Sequence, residues 1–402
     1  MFERMTEAVD NVDSEFTKRI KKLQGRLQNE NIDGAIFFQQ EEIYYYSGTG
    51  VNSVLIVPSD QDPILLVRIN LEHGKKDSYI SDVRPSMGIG SIIETLKEVY
   101  EERKIVLGLS FDVININLFH NLQRKIPNAL FVDVQPLVWS QRMIKSDFEI
   151  SQIKMAADIS SKGFDHALSI LHKGMTEIQL QKSIEEVTFS YGDEGNMIQR
   201  GSNNRLSFGV VVSGENTSII SGNWMTMTGL GRSAIRPYGA GNRQISNGDL
   251  IVIDKGTIYQ GYHADEARSF VLGKANDRLQ NLQKKLIEVL DSTIDLIRPG
   301  ALVSDIYQKA ESTATSSGYK EEFMGLGQYG FKYVGHGIGL EIDEPPLISA
   351  FNHTILEQGM VLAIEPKFIF PNEFGLTMEE SVLVTESGYE ILTKFSRDRF
   401  EV

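Results

Sequence analysis

The chain contains no cysteine. That excludes disulfides, thiolate metal sites and a cysteine nucleophile. Cations are in the minority: 40 Lys and Arg stand against 54 Asp and Glu, a formal net charge of −14. A nucleic-acid partner, which is normally met by a basic face, is therefore not expected. Local clusters such as "KRIKK" (18–22) sit in helical patterns beside acids and read as solvated helix faces. No apolar run approaches the roughly 20 residues needed to span a bilayer, so no membrane partner is expected. The first segment, "MFERMTEAVDNVDSEF", is acidic and lacks the apolar stretch of a signal peptide, and a cytoplasmic location is the expectation. Histidine is also scarce, with seven in 402 residues. One of them, His336, lies in the glycine-rich and acid-rich segment "GHGIGLEIDEPP".

What remains is the composition of a globular protein, 41% hydrophobic and 23% charged, and long enough for two domains. Residues 1–145 read as an α/β domain. "FTKRIKKLQGRLQNENI" and "IGSIIETLKEVYEE" have apolar residues at helical spacing, while "DGAIFF", "SVLIVP", "PILLVRI", "KIVLGLS" and "ALFVDV" are short buried-strand patterns. "QQEEIYYYSGTG" (39–50) is read as a strand with three aromatics, half core and half surface, or part of a subunit contact. No nucleophile elbow, phosphate loop or metal-ligand cluster is present in this domain, and "SGTGVNS" lacks the strand–GxGxxG–helix context of a dinucleotide loop. At Ser146-Asp147 a helix N-cap signal opens a long amphipathic helix, and a second domain, 146–402, begins.

The second domain repeats itself. A helix ending before Gly174 and a helix ending before Gly300 are each followed by a short turn and a second amphipathic helix. "GDLIVID" (248–254) then matches "GMVLAIE" (359–365), and "ADEARSFVLG" pairs with "MEESVLVTESG". This predicts an α+β domain of two pseudo-symmetric α-α-β-β halves, each of about 110–125 residues.

The repeat makes the acids interpretable. Asp254 closes one apolar strand and Asp265 opens the next, across a loop centred near 257–261, so folding back brings the two carboxylates together. Glu365 and Glu379 repeat the device. Burying four like charges together is costly unless cations neutralise them. With His336 the set is four oxygen donors and one imidazole, which suits Mn²⁺, Co²⁺, Zn²⁺ or Fe²⁺. Five ligand residues exceed the needs of one ion, and two divalent ions bridged by carboxylates about 3.5 Å apart are the natural arrangement.

The stretches "IVIDKG", "GYHADEARSF", "GHGIGLEIDEPP", "GMVLAIEP" and "GLTMEESVLVTE" resemble the creatinase/prolidase/methionine-aminopeptidase ("pita-bread", M24) family, most nearly its Xaa-Pro dipeptidase branch. The likeness covers nearly the whole chain, with 13–142 similar to the creatinase-type N-terminal domain. It implies a pita-bread catalytic domain, a dinuclear ligand set at Asp254, Asp265, His336, Glu365 and Glu379, a metal-bridging hydroxide as nucleophile, and Glu365 as general base. It also implies a homodimer.

The departures from the family pattern concern the substrate. Asp343 and Tyr238 stand where the resembling peptidases have histidines, Ala267 replaces a threonine and Thr377 an arginine. Aspartate donates no hydrogen bond unless protonated, whereas Tyr238 can donate. In "SGNWMTMTGLGRSAI" (221–235), read as a pocket loop, Arg232 and nearby Arg236 are candidate anchors for a substrate carboxylate. Asp343 is a candidate for a cationic group, and His263, on the same strand face as Asp265, is a candidate to replace a missing histidine, with a solvent-facing side chain as the leading expectation. The function read from these residues is a metal-dependent hydrolase of a small peptide or amide. The alternatives are a non-peptide hydrolase (compatible-solute or amidino) or lyase on the same metal site, and a catalytically silent binding protein.

Overall fold

The computed structural model describes residues 9–101, 103–201, 209–220, 227–325 and 332–402. Trp224 and Met225 of the expected pocket loop lie outside the described residues. The chain divides into two compact units, Met1–Arg142 and Met143–Val402.

The first unit is a mixed six-stranded sheet flanked by helices. In spatial order its strands are Asp82–Pro85, Ile64–Val67, Ser53–Pro58, Gly34–Phe37, Ile105–Leu109 and Ala129–Asp133. Ile36, Ile56, Leu66 and Leu107 from the sheet pack with Ile92, Leu96 and Leu122 from two helices. The three tyrosines form a helix here, Gln40–Ser47, and not a strand. Two ordinary helix signals account for this: Glu41 and Glu42 in the first turn, and Gly48 (φ 79°) as a left-handed stop. Tyr45 and Tyr46 are buried.

The second unit opens with the helix Asp147–Ile170, capped by a reciprocal pair in which Ser146 and Glu149 satisfy each other's backbone N–H groups. Its two halves use the same parts. Helices Asp147–Ile170 and Glu177–Ser190 precede a three-stranded sheet of Gly209–Ser213, Leu250–Tyr259 and Tyr262–Val271. Helices Asp277–Ile294 and Val303–Ser316 precede a four-stranded sheet of Gly335–Gly337, Val361–Ile364, Glu380–Val384 and Tyr389–Ile391, with the hairpin Lys367–Phe370 and Phe374–Thr377 beside it.

The correspondence extends to single hydrogen bonds. Gly174 and Gly300 both adopt positive φ, 89° and 84°. Their N–H groups donate at 2.8 Å to the carbonyls of Ile245 and Leu356 respectively. Gly248 (φ 85°) and Gly359 (φ 90°) likewise donate to Leu272 and Val384, the far ends of the paired strands.

Candidate metal centre

In the first half, Asp254 is opposite Ala267, and Asp265 is opposite Gly256. The two aspartates are thus diagonal neighbours on one face of a continuous antiparallel pair. Asp254 lies in the middle of its strand and does not close it. The hairpin turns later, at Gln260–Gly261, both at positive φ as a two-residue turn requires.

In the second half the hairpin is interrupted where its acids lie. Glu365 falls between strands Val361–Ile364 and Lys367–Phe370, and Glu379 between Phe374–Thr377 and Glu380–Val384. Their backbones are still anchored: Glu365 N–H donates to the carbonyl of Val334, and Glu379 N–H to that of Ala267 in the other half. The Ser381 hydroxyl joins the halves again, accepting from Asp265 N–H and donating to its carbonyl.

His336 sits on the short strand opposite Ala363. Its flanking glycines are extended, so the sharp turn expected of them is not their reason. A Cβ on Gly335 would lie 2.1 Å from the Ala363 carbonyl oxygen, and one on Gly337 2.3 Å from that of Pro345. They are glycines because two backbones pass too close for a side chain.

These elements bring Asp254, Asp265, His336, Glu365 and Glu379 to one buried pocket, which Met197, Tyr333, Ile342, Asp343 and Lys367 also line. Asp265, His336 and Glu379 each offer a ligand atom, all within 4.8 Å of one another. His336 Nδ1 is 3.0 Å from the Gly337 carbonyl, which as an N–H donor leaves Nε2 facing the acids. Nε2 lies 3.3 Å from Asp343 Oδ1 and 3.8 Å from Glu365 Oε1.

The charge balance of the pocket is strained by burial. Burial, then Asp254, pushes Asp265 up to about 8, and burial together with Glu365 pushes Asp254 up to about 6 against the opposing effect of Lys367. Glu379 is held well above the usual carboxylate range by burial and Asp265. For His336 burial opposes the charge, but Asp343, Glu365 and Asp265 outweigh it and push its pKa up to about 9. Carboxylates this close and this buried call for a cation, and a neutral imidazole with hard oxygens fits a divalent transition ion.

The other sequence candidates lie elsewhere. His263 is fully buried, not solvent-facing. Its Nε2 accepts from Ile198 N–H and its Nδ1 is 3.0 Å from the Gly339 carbonyl, so it pins two segments of the pocket rim and does not enter the pocket. The same rim is closed by Ile342 N–H on the Ile198 carbonyl and by Gln199 Nε2, 2.8 Å from Asp343 Oδ2. Arg232 and Arg236 are exposed and Tyr238 is half-buried, and none of the three lines the pocket.

The residue that sequence reasoning passed over is Lys367. It is 3% exposed, and its Nζ donates a hydrogen bond to Glu365 Oε2. Burial disfavours its charge, but Glu365, Asp254 and Glu379 outweigh this and raise its pKa. The signal was present in "KFIF", where Phe368 and Phe370 belong to the hydrophobic core. Strand alternation then turns Lys367 to the opposite face.

Residues 151–386 match metallopeptidase family M24, and residues 19–144 match the creatinase/prolidase N-terminal domain. The chain belongs to metallopeptidase family M24. This M24 protein is 27% identical to an Xaa-Pro dipeptidase of Pyrococcus furiosus over 95% of its own length and 99% of the relative's. It is also 27% identical to an uncharacterized peptidase of Staphylococcus epidermidis, over 94% of its length and 99% of the relative's. Its fold matches that of an Xaa-Pro dipeptidase from Bacillus anthracis, with a TM-score of 0.82 at 24% identity, covering 96% of this chain and 100% of that one. A Pyrococcus horikoshii prolidase gives 0.80 at 24%, with 95% and 100% covered. The family and the pita-bread fold agree with the resemblance carried by the five motifs, and the protein is a metal-dependent hydrolase of the prolidase-like branch. Among the described residues no helix is long and apolar enough to cross a membrane.

Proposed function

We propose that the protein cleaves dipeptides, or small amides built like them, with Asp254, Asp265, His336, Glu365 and Glu379 serving its divalent metal centre and Glu365 acting as general base. The observation that carries this reading is the gathering of those five side chains in one buried pocket, with ligand atoms of Asp265, His336 and Glu379 within 4.8 Å of one another. A divalent ion supplies, when bound there, a low-pKa water and polarisation of the scissile carbonyl. Glu365 takes the water proton and returns it to the leaving amine, with Lys367 fixing one carboxylate oxygen so that the other faces the ligand cluster. The Gly337 carbonyl holds the His336 ring so that Nε2 is the ligating atom.

The name of the Pyrococcus furiosus relative supports a dipeptide with proline in second place as the first substrate to try. Asp343, its side chain 43% exposed at the pocket, offers an acceptor to the substrate's free ammonium group. The same residue favours a second reading, a non-peptide amide, because an ionised carboxylate cannot donate to an oxyanion. Residues 146–402 carry the chemistry in this reading and residues 1–145 serve assembly into a homodimer, which light scattering tests directly.

The deciding assay follows hydrolysis of dipeptides with and without a second-position proline by protein loaded with Mn²⁺ or Co²⁺. Turnover that vanishes in Glu365→Gln is expected. No turnover of any dipeptide by the loaded protein sinks the peptidase reading, and undiminished activity in Glu365→Gln removes that residue as the base.

A further inference from the structure

The two cationic requirements of the pocket are met in different ways. On one side, Asp265, His336 and Glu379 present three ligand atoms within 4.8 Å, and among the described residues they form the one such group. Three protein ligands with open positions left for water and substrate are the pattern of a catalytic mononuclear site. On the other side, Glu365 is bonded to the Lys367 ammonium, and Asp254, which lines the same pocket, is likewise outside the three-ligand group.

The backbone allows the lysine little choice. Lys367 pairs with Thr377 in the hairpin, its carbonyl accepts from Met324 N–H, and its neighbours Phe368 and Phe370 are committed to the core. The side chain is therefore confined to the pocket face, and at 3% exposure it has no solvated alternative. An ion placed on Glu365 and Asp254 would have to share the Glu365 carboxylate with an ammonium, like charge against like charge in a buried site.

We propose that Lys367 is the built-in second cation of this centre: one divalent ion binds at Asp265, His336 and Glu379, and the ammonium occupies the Glu365–Asp254 side that a second ion would need. This rests on the metal-centre reading given above and replaces its second ion with a side chain. It also assigns Lys367 a positioning role, since it fixes Glu365 beside the ion without itself contacting the reacting atoms.

The test is a count of ions. Protein stripped with chelator is titrated with Mn²⁺ under equilibrium dialysis, and the electron paramagnetic resonance spectrum of the bound metal is recorded. The wild type is expected to hold one Mn²⁺ per chain with the six-line signal of an isolated ion. Lys367→Met is expected to take up a second Mn²⁺ and to show the signal of an exchange-coupled pair, while Lys367→Arg, which keeps the cation, stays at one. Two coupled ions in the wild type overturn the proposal, as does a Lys367→Met variant that folds and still holds one. If Lys367→Met fails to fold, the wild-type and Lys367→Arg counts decide. A wild type that holds no Mn²⁺ overturns the underlying metal-centre reading instead, so the two failures are distinct.

Discussion

The two halves of the catalytic unit share a backbone but not a charge pattern. Each has its pair of helices, its positive-φ glycines and its hairpin bearing two acids. The first half keeps both strands unbroken for ten residues, and the charged side chains it brings to the pocket among the described residues are two carboxylates, Asp254 and Asp265. The second half breaks its hairpin at the acids, and among the described residues the pocket's two nitrogen-bearing side chains, His336 and Lys367, come from it. Duplication thus accounts for the scaffold and the acids. The groups that make the pocket asymmetric, the imidazole and the ammonium, lie in one half alone among the described residues.

The largest effects should come from removing ligands across this divide. Asp265→Asn in the first half and His336→Ala in the second should each abolish tight Mn²⁺ binding and lower turnover by roughly 10³-fold or more, the scale of losing the main electrostatic element of a site. Asp254→Asn, at the position equivalent to Glu365 in the repeat, should retain the ion with affinity weakened about 10–100-fold, as for an outer partner of a bound metal. Equilibrium dialysis separates the cases. Loss of the ion in Asp254→Asn to the same degree as in Asp265→Asn would mean that Asp254 is a direct ligand and that the two sides of the pocket contribute evenly after all.

A second comparison concerns the joint between the halves. Arg268, on the first half's strand, is 2% exposed. It is 2.9 Å from both Glu266 Oε1 and Glu380 Oε1 and also donates to the Glu379 carbonyl. Burial already pushes Glu266 up to about 7 despite Arg268. Arg268→Met removes the shared partner and leaves two buried carboxylates opposed, at a cost of about 3–5 kcal/mol in urea unfolding of the metal-free protein. A cost below about 1 kcal/mol would show that the halves are held together by their apolar faces and that this network contributes little.

How far all this was legible in the sequence varied with the physics involved. The duplication was readable because glycines that open a turn, and apolar strand segments that carry an acid six residues after a glycine, are local features. Gly174, Gly300, Gly248 and Gly359 are where the repeat required them. The gathering of the four acids and the imidazole in one pocket was readable because buried like charges have few explanations. The polar rim was not. His263 looked solvent-facing because alternation says which side of a strand a residue takes, but not what packs over that side; here it is the backbone of Ile198 and Gly339. The tyrosine triplet was misjudged by weighing aromatic β-propensity above the acidic first turn and the Gly48 stop. Lys367 was overlooked because a lysine between apolar residues is usually an edge or surface residue, and only the register of its hairpin turns it inward.

The smallest effect offers the cleanest check of the parallel. Gly174 and Gly300 have nearly the same φ, the same 2.8 Å hydrogen bond to the strand-leading segment, and no atom within 4 Å of the place where a Cβ would sit. Gly174→Ala and Gly300→Ala therefore introduce no clash and test backbone conformation alone. Each should cost about 1–2 kcal/mol, the penalty for a side chain in the left-handed region. Because the two sites are far apart in the chain and share no partner, the double variant should cost the sum of the two. Urea midpoints at a constant slope would measure all three. Unequal single costs would show that the halves, although built from the same turns, are not equally tolerant of strain. The more sensitive half would then be expected to be the second, whose hairpin is already interrupted at Glu365 and Glu379.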